Sequence, residues 1–367
     1  MITALLVIAI LVLLIVSHEL GHFIAAKISG VKVKEFGVGY PPTALRLAKI
    51  GDTEYTLNWI PFGGFVRLFG DEGQGEHGRG SFADASRGKQ AVILIAGITM
   101  NIVAGWLLFT VAYAQGIPRV AESAGAGLPA QAGVQLFIAE VIPGSPADSA
   151  GIHGGDEIVA MEDTAEASPA ELTPDGVKEF VVKRGGKRVE VTYARGGATS
   201  TAAVIPANAV IPGAAGDAGI GVDLVLVTTA PLPWGEAAYA ATLATYNAFT
   251  SVVQNLWHII ANMFRGAPSV QDIVGPVGLV SVVGQATEAG MAQVIAYAAL
   301  ISINLAVINL FPIPALDGGR LLVVIIETII RRPAHKLTIH LLNTIGVAAI
   351  ILLMVVVTYQ DIARLLA

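Results

Sequence analysis

The sequence predicts a polytopic α-helical membrane protein with about four transmembrane helices, a membrane-associated β-hairpin or sheet, and one inserted α+β domain. Apolar residues make up 54% of the 367-residue chain and charged residues only 14%, which is typical of membrane proteins. Several apolar runs are long enough to cross about 30 Å of hydrocarbon, and a long patterned segment separates them. The runs cover residues 1–27, 91–114, 292–329 and 338–358.

Composition excludes several classes of partner and site. The net charge of −6 and the lack of a long basic tract give no reason to expect nucleic acid as a partner. The absence of cysteine removes disulfides, thiolate nucleophiles and cysteine-based zinc sites. Any bound metal must therefore depend on histidine and carboxylate ligands.

The first apolar run carries a metal-binding pattern, because residues 2–16 continue without a break into the sequence SHELGH at 17–22. On a helix, His18 and His22 share one face and can chelate Zn²⁺, while Glu19 stands where it can deprotonate a bound water. The run has no basic start and no small-residue cleavage site, so we interpret it as a retained membrane helix. Ionisable groups in hydrocarbon are costly and by default mark function. The pattern predicts a hydrolytic zinc site inside a membrane span.

The segment from 28 to 90 is predicted to form a membrane-associated β region and a loop on the cytosolic side. Residues 31–40 are rich in β-formers, and residues 53–68 combine β-formers with a Pro-x-Gly-Gly turn that favours a hairpin. Two interpretations remain open. The segment forms either an ordinary soluble sheet, or a sheet that dips into the membrane and pairs its edge with an extended substrate.

The segment after the second span is predicted to hold the α+β domain at residues 121–212. An Ala/Gly-rich linker at 121–133 precedes strand-like residues, a Pro-Gly turn, a short helix, a second helix at 174–183 and a Gly-Gly hairpin. The run VIPGSPADSAGIHGGDEIVAMED and the later helix and hairpin resemble a bacterial PDZ domain. Such a domain either binds peptide ends by strand addition or acts as a size filter. Residues 213–291 are predicted to be an amphipathic and linker region.

The third apolar run is predicted to be a broken helix. Its stretch 309–319, NLFPIPALDGG, contains two prolines and two glycines that prevent a regular helix. Non-helical backbone at membrane depth is tolerated only where protein or a water-filled cavity satisfies it, so the break is a candidate wall of a site. A hydrolytic zinc needs a third protein ligand, and Asp317 is the best choice because an unpaired carboxylate there is costly. Asp317 has an alternative role as the cap of a helix over 318–330.

Basic residues predict the orientation of the chain. The segment 28–90 is rich in lysine and arginine, and the loop before the last span holds Arg331, Arg332 and Lys336. With four crossings both stretches lie on one side, which the positive-inside rule makes cytosolic. The active site is therefore expected toward the cytosol. Both termini and residues 115–291, including the PDZ-like domain, are expected to face outward.

Taken together, these motifs resemble the site-2 proteases, which are intramembrane zinc metalloproteases, and within them the bacterial regulator-of-sigma-E protease branch. The resemblance depends on the HELGH motif, on 309–319 as the family's NxxPxPxLDG, on the PDZ-like domain between them, on GPVG at 275–278 and on the ending at 359–364. It departs from the family at Ile98, where relatives often have proline, and in having a single PDZ-like domain.

The resemblance implies roles for individual residues and for partners. It implies that His18, His22 and Asp317 bind one Zn²⁺ per chain and that Glu19 is the catalytic base. It also implies substrate-binding roles for the polar and proline residues Asn304, Asn309, Pro312 and Pro314. The implied substrates are membrane-spanning proteins, such as anti-sigma factors, or remnant signal peptides. The implied location is the bacterial cytoplasmic (inner) membrane, as a multi-pass protein in the lipid bilayer.

Two functions of other classes compete with a peptidase. One is a non-catalytic membrane receptor, in which the PDZ-like domain binds peptide termini and a structural metal braces the helices. The other is a transporter, since broken helices with midplane charges also line ion paths. Glu19 argues against the receptor because a structural zinc needs no neighbouring base, and the sequence shows no inverted repeat that favours a transporter.

Overall fold

The computed structural model describes residues 2–71, 77–121, 133–165, 167–208, 210, 217–265, 275–332 and 335–366. The chain divides into two compact units, a discontinuous one formed by Met1–Ala114 with Pro233–Ala367, and a continuous one formed by Gln115–Leu232. In chain order the described elements are α1 (Ile2–Ser29), β1 (Val33–Ile50), β2 (Thr53–Leu68), α2 (Arg87–Gln115), β3 (Arg119–Val120), β4 (Val134–Val141), α3 (Pro146–Ser149), β5 (Glu157–Asp163), α4 (Pro174–Val182), β6 (Val189–Arg195), β7 (Ala198–Val204), β8 (Ala207–Asn208), β9 (Ala218–Gly219), β10 (Val222–Thr228), α5 (Trp234–Phe264), α6 (Pro276–Ala289), α7 (Met291–Leu310), α8 (Asp317–Ile330) and α9 (Lys336–Leu366).

Among the described residues, four helices are long and apolar enough to cross a membrane. They are α1, α2, α7 and the part of α9 from His340 to Arg364. Each coincides with one of the predicted apolar runs. The third run is divided as the sequence indicates, because α7 ends at Leu310 and α8 begins at Asp317. The polytopic fold class is confirmed.

Helix α1 places its histidines on the face that packs against α2. Leu14, His18, Gly21, His22 and Ala25 recur at helical spacing and are all buried. A methyl group added at Gly21 would lie only 2.3 Å from the backbone oxygen of residue 96. This glycine therefore lets the two helix backbones approach closely, and that approach directs both imidazoles toward the interior of the unit.

Strands β1 and β2 form a sheet that contains the predicted turn and a second one at another place. One hairpin turn lies at Gly51-Asp52, where Ile50 pairs with Thr53. The chain reverses again at the predicted Pro-x-Gly-Gly turn, because residues 54–57 run parallel to residues 35–38 and residues 64–68 run antiparallel to them. Gly63 has a φ of +94°, and the register there is irregular. The predicted turn is present, but the two segments that it joins do not pair with each other, because residues 33–38 of β1 lie between them. Local turn chemistry does not reveal that arrangement.

The sheet is more than a simple hairpin. Residues 33–38 of β1 pair on one side with 64–68 of β2 and on the other with 54–57. Residues 43–50 then pair with 53–58. The stretch 64–68 is thus an outer segment of the sheet among the described pairings. The distal part of the sheet exposes large apolar side chains, among them Leu45, Leu47, Ile50, Trp59 and Ile60.

The continuous unit is built on an antiparallel sheet of six strands in the order β3-β10-β4-β5-β6-β7. Its core joins the sheet to helices α3 and α4, with buried residues that include Ile138, Ile152, Met161, Phe180 and Val191. The predicted α+β architecture is therefore present. The sheet also extends past the predicted limit of 212, since β10 lies between β3 and β4. Most of the predicted linker at 121–133 lies outside the described residues.

Two helices of the discontinuous unit occupy the segment predicted to be an amphipathic and linker region. Helix α5 matches the amphipathic pattern, while α6 was not predicted. The start of α6 is held by α9, because the carboxylate of Asp361 accepts hydrogen bonds from the backbone N–H groups of Gly275 (3.2 Å) and Gly278 (2.7 Å). A carboxylate satisfies the unpaired N–H groups and the positive end of a helix dipole. This contact joins the two resemblance motifs at 275–278 and 359–364.

Replacing Asp156 with Asn is expected to destabilise the continuous unit by about 1–3 kcal/mol. Asp156 is buried and takes two hydrogen bonds of 2.6 Å from the half-exposed guanidinium of Arg195. Arg195 holds the pKa of this carboxyl below its usual range. The stabilisation is therefore complete above the unfolded pKa of about 3.9 and is lost as pH falls through the lower folded value.

Hydrogen–deuterium exchange on the full chain between pH 7 and pH 3 checks this expectation. In the wild type, the protection factors at β5 and β6, which correct for the pH dependence of intrinsic exchange, should fall toward pH 3. Asp156→Asn should have lower protection factors at pH 7 and should lose less protection toward acid. Exposed Glu190 is a matched control, because its ion pair with Arg188 is solvated, and Glu190→Gln should change little. Wild-type protection in Asp156→Asn would contradict the role assigned to this pair.

Candidate active site

The break between α7 and α8 brings an aspartate to the two histidines of α1. The Nε2 atom of His18 lies 2.9 Å from the Oδ2 atom of Asp317, and the Nε2 atom of His22 lies 3.0 Å from the same oxygen. The two Nε2 atoms are 3.1 Å apart. Among the described residues, these three side chains form the group that offers three metal-ligand atoms close together. His18 and His22 lie 299 and 295 residues before Asp317 in the sequence.

The hydrogen bond of His22 to the backbone determines which ring nitrogen faces the cluster. Its Nδ1 atom lies 2.7 Å from the backbone oxygen of Ile93 on α2. A carbonyl oxygen only accepts, so Nδ1 carries the proton and Nε2 of the neutral ring presents a lone pair to Asp317. This is the arrangement that orients a metal-binding histidine. Nδ1 of His18 is buried and has no hydrogen-bond partner in the described part of the chain.

The chemistry of these three atoms fits a zinc ion. Two imidazole nitrogens and one carboxylate oxygen are ordinary ligands of zinc, and four-coordinate zinc separates its ligand atoms by about 3.3 Å. The observed separations of 2.9 to 3.1 Å are close to that value. Lone pairs that converge in a buried place repel one another unless a cation or protons lie between them. The geometry and the donor set therefore suit a metal with three protein ligands.

Asp317 is placed by the backbone of the break and does not act as a helix cap. The N-cap of α8 is Leu316, which makes no side-chain capping bond, and Asp317 is the first helical residue. Methyl groups added at Gly318 and Gly319 would lie 2.3 Å and 2.2 Å from backbone oxygens of the break. Ala315 adopts a left-handed φ of +75°. The glycines let the chain fold back tightly, and the carboxylate then points to the histidines.

Glu19 lies beside this cluster in a cavity of about 390 Å³. Helices α1, α2, α7 and α8 line the cavity together with β2, whose contribution is Gly64, Phe65, Val66 and Leu68. Val66 of β2 lines the cavity together with Glu19. A methyl group added at Gly64 would lie 3.7 Å from the Cγ atom of Glu19. The outer segment of the sheet thus runs directly past the candidate base.

The four residues predicted to bind substrate are not all placed at the cavity. Asn309 lines it. Asn304 is absent from its lining, and its amide donates to the Leu300 carbonyl oxygen one turn earlier in α7 (3.0 Å). Pro312 is exposed, and the backbone of Pro314 packs against Gly346 of α9. The substrate roles of these residues stay predictions, and the cavity favours Asn309 among them.

Sequence reasoning did not select four polar residues that line the cavity. These are Tyr40, Asp71, Asn101 and Arg320. Asp71 and Arg320 form an ion pair across the cavity wall, between the end of β2 and the first turn of α8. A signal was present for Asn101 and Arg320, since both are polar residues within or beside apolar runs. Asp71 carried no such signal because its run is generally polar.

Replacing Gly97 with Ala is expected to lower zinc content and peptidase activity at least about tenfold. A Cβ atom there would lie 2.4 Å from Nε2 of His22 and 2.9 Å from Cε1 of His18, and a rigid helix cannot relieve such contacts cheaply. Gly88, on the same helix, has open space around its Cβ position, so Gly88→Ala is the matched control. It should keep full zinc and gain a little helix stability. Metal analysis of both purified variants checks this, and full zinc in Gly97→Ala would show that α2 does not confine the site.

Comparisons with known proteins agree with this geometry. The model of peptidase family M50 matches residues 6–353. A Clostridium perfringens protein that is provisionally named a zinc metalloprotease is 32% identical over 95% of both chains. The zinc metalloproteases RasP of Shouchella clausii and Oceanobacillus iheyensis are each 28% identical, over 99% and 95% of this chain and 99% and 96% of their own.

A solved structure was also found that matches part of the chain. It is the PDZ domain of an SdrC-like protein from Listeria monocytogenes, which is 18% identical and covers 27% of this chain and 93% of its own, with a TM-score of 0.21. A TM-score of 0.21 is too low to support an argument about the fold. The family match spans both the HELGH helix and the break at Asp317, and the relatives align over nearly their whole length. The chain therefore belongs to peptidase family M50, the site-2 protease family, and is a zinc metalloprotease.

Proposed function

We propose that this protein is an intramembrane endopeptidase that hydrolyses peptide bonds in or near the transmembrane segments of other membrane proteins. The observation that carries the proposal is the position of the cluster. His18 and His22 lie on a candidate membrane span, and Asp317 directly follows the break after another. The proposed metal content is one zinc ion per chain, held by these three side chains.

Zinc bound there lowers the pKa of a water molecule and polarises the carbonyl group of the scissile bond. Glu19 acts as the base, because its carboxylate lines the same cavity as the three ligands. It takes a proton from the attacking water and returns it to the amine that leaves. The hydrogen bond from Nδ1 of the ligand histidine His22 to the Ile93 carbonyl oxygen fixes the ring orientation, so that its Nε2 atom faces the other two ligands.

The substrate must be extended when it reaches Glu19, since a helix uses its own carbonyl groups in hydrogen bonds. The outer segment 64–68 of β2 offers backbone groups beside the cavity to which an unwound chain can add as a strand. Gly64 brings this segment close to Glu19, since a Cβ atom there would lie 3.7 Å from the Glu19 Cγ atom. Asn309 lies across the cavity, where its amide can hydrogen-bond the same extended chain.

The exposed apolar side chains of the sheet support a contact with lipid. Leu47, Ile50 and Trp59 are 58%, 65% and 72% exposed, which is costly in water and favourable at a membrane surface. We place the protein in the bacterial inner membrane, with the active site toward the cytosol and the PDZ-like domain outside, because basic residues flank the inward loops. There the domain binds peptide termini or excludes bulky substrates.

The proposed substrates are single-span proteins already shortened on their outer side, such as anti-sigma factors, and remnant signal peptides. A large folded outer domain would prevent a span from entering a cavity of about 390 Å³ between helices. A non-catalytic receptor is the weaker alternative, because the family consists of peptidases and the candidate base Glu19 is present in this chain.

The purified full-length protein in liposomes, given a single-span substrate, tests the proposal. Mass spectrometry of the products locates the cut bond, and a zinc chelator followed by added zinc tests the metal. We expect a cut within or next to the span that the chelator abolishes and zinc restores. A cut confined to soluble parts of the substrate, or binding without any cleavage, would contradict the proposal. Glu19→Gln is the control for a contaminating protease.

A further inference from the structure

Asn101 is a buried polar residue of the cavity wall whose side chain has no hydrogen bond. It is 0% exposed, and neither its amide nitrogen nor its amide oxygen finds a partner among the described residues. It lies in α2, a candidate membrane span, where an unpaired carboxamide is especially costly. Asn101 is also one of the residues that line the cavity that holds Glu19 and the three ligands.

The helix around Asn101 is fixed in place on both sides. One turn earlier, Gly97 packs against the rings of His18 and His22, and one turn later Gly105 packs against Ile303. The hydroxyl of Ser302 donates to the backbone oxygen of Asn101 over 2.7 Å. The backbone of this residue is therefore satisfied and close to the ligands, and the unsatisfied atoms are those of the side chain.

A carboxamide offers two N–H donors and one acceptor oxygen, which complement the carbonyl and N–H groups of one peptide unit. An extended substrate in this cavity carries such groups unpaired once its helix has unwound. We propose that Asn101 is a substrate-binding residue, whose Nδ2 donates to a backbone carbonyl and whose Oδ1 accepts a backbone N–H of the unwound segment next to the scissile bond. This inference rests on the proposed function.

The proposal predicts opposite effects on stability and on activity. In the free protein the amide is unpaired, so Asn101→Leu, which is similar in size and apolar, should keep or raise the melting temperature. With substrate the same change removes two hydrogen bonds to the backbone. A structural amide would behave in the other way, since its replacement lowers stability while substrate binding persists.

The test uses the full-length, zinc-loaded protein in detergent. Asn101→Leu and the smaller Asn101→Ala are compared with wild type and with Ser302→Ala, a buried polar control on the same helix contact. Cleavage kinetics, zinc content and melting temperature are measured for each. Affinity for a fluorescent single-span peptide is measured in a Glu19→Gln background, which removes turnover. In both Asn101 variants we expect kcat/KM to fall about tenfold or more, mainly through KM, with a similar loss of affinity and with zinc unchanged.

Other results overturn the inference. Wild-type KM and wild-type peptide affinity in both Asn101 variants would do so, and so would a lower melting temperature with zinc lost in both. Ser302→Ala should stay within about twofold of wild type, because it leaves the side-chain amide untouched. If wild type and Glu19→Gln cleave equally, the proposed function fails. The peptide affinities then still decide whether Asn101 binds an extended chain.

Discussion

Asp317→Asn is expected to lose most of its zinc and essentially all of its proteolysis, with zinc affinity falling more than about a hundredfold. The carboxylate lies 2.9 Å and 3.0 Å from the Nε2 atoms of His18 and His22, and it is the only anion of the three ligands. An amide of the same shape is a much weaker ligand for a divalent cation, and two neutral imidazoles leave the ion under-coordinated.

Glu327 provides a matched control on the same helix. It is also a buried carboxylate, but it pairs with Arg87 over 2.7 Å and does not line the cavity. Glu327→Gln should lower stability because it leaves Arg87 without its charge partner, and it should retain zinc. The measurement is zinc per chain after dialysis, together with cleavage of a single-span substrate. One zinc per chain in Asp317→Asn would mean that the third ligand lies elsewhere.

Glu19→Gln is expected to keep its zinc and to lower kcat by about a thousandfold or more. A positioned base contributes about 10²–10⁴-fold, and an amide cannot accept the proton of the attacking water. The three ligand side chains are untouched, so the metal content separates this variant from Asp317→Asn. The substitution preserves shape beside Val66 and Gly64, and substrate affinity should change little.

Ser17→Ala serves as the neighbouring control, since Ser17 precedes the motif and does not line the cavity. It should cleave at the wild-type rate. Single-turnover cleavage and zinc analysis on the three proteins give the answer. Retained turnover in Glu19→Gln, with Asp317→Asn inactive, would indicate that another group serves as the base and would exclude Glu19 from that role.

The sequence by itself was sufficient to locate the membrane spans and to place the two histidine ligands together on one helix. Apolar runs of sufficient length indicate membrane helices whatever their neighbours, because the bilayer sets the required length. The spacing of His18 and His22 places both on one face of α1 whatever surrounds it. Asp317 was selected because an unpaired carboxylate in an apolar run is costly.

The sequence was less informative about strands, because a strand is stabilised by hydrogen bonds to a partner that can lie far away in the chain. The Pro-x-Gly-Gly segment reverses the chain as predicted, but residues 33–38 lie between the two segments that it joins, and a second turn lies at Gly51-Asp52. The strand Val222–Thr228 was assigned to a linker and lies between two earlier strands. Turn residues and periodicity show which conformations a segment can adopt, but they do not show which strand it will pair with.

The tertiary structure decided which residues share the cavity. Asn304 and Asn309 occupy the same helix, yet of the two only Asn309 lines the cavity, while Asn304 donates to a carbonyl oxygen of its own helix. Asn101 enters the wall because glycines at 97 and 105 let α2 approach its neighbours. The approach of α8 to α1 brings Asp317 within 3.0 Å of a histidine 295 residues away. Such proximity arises from packing between distant segments, which local pattern does not encode.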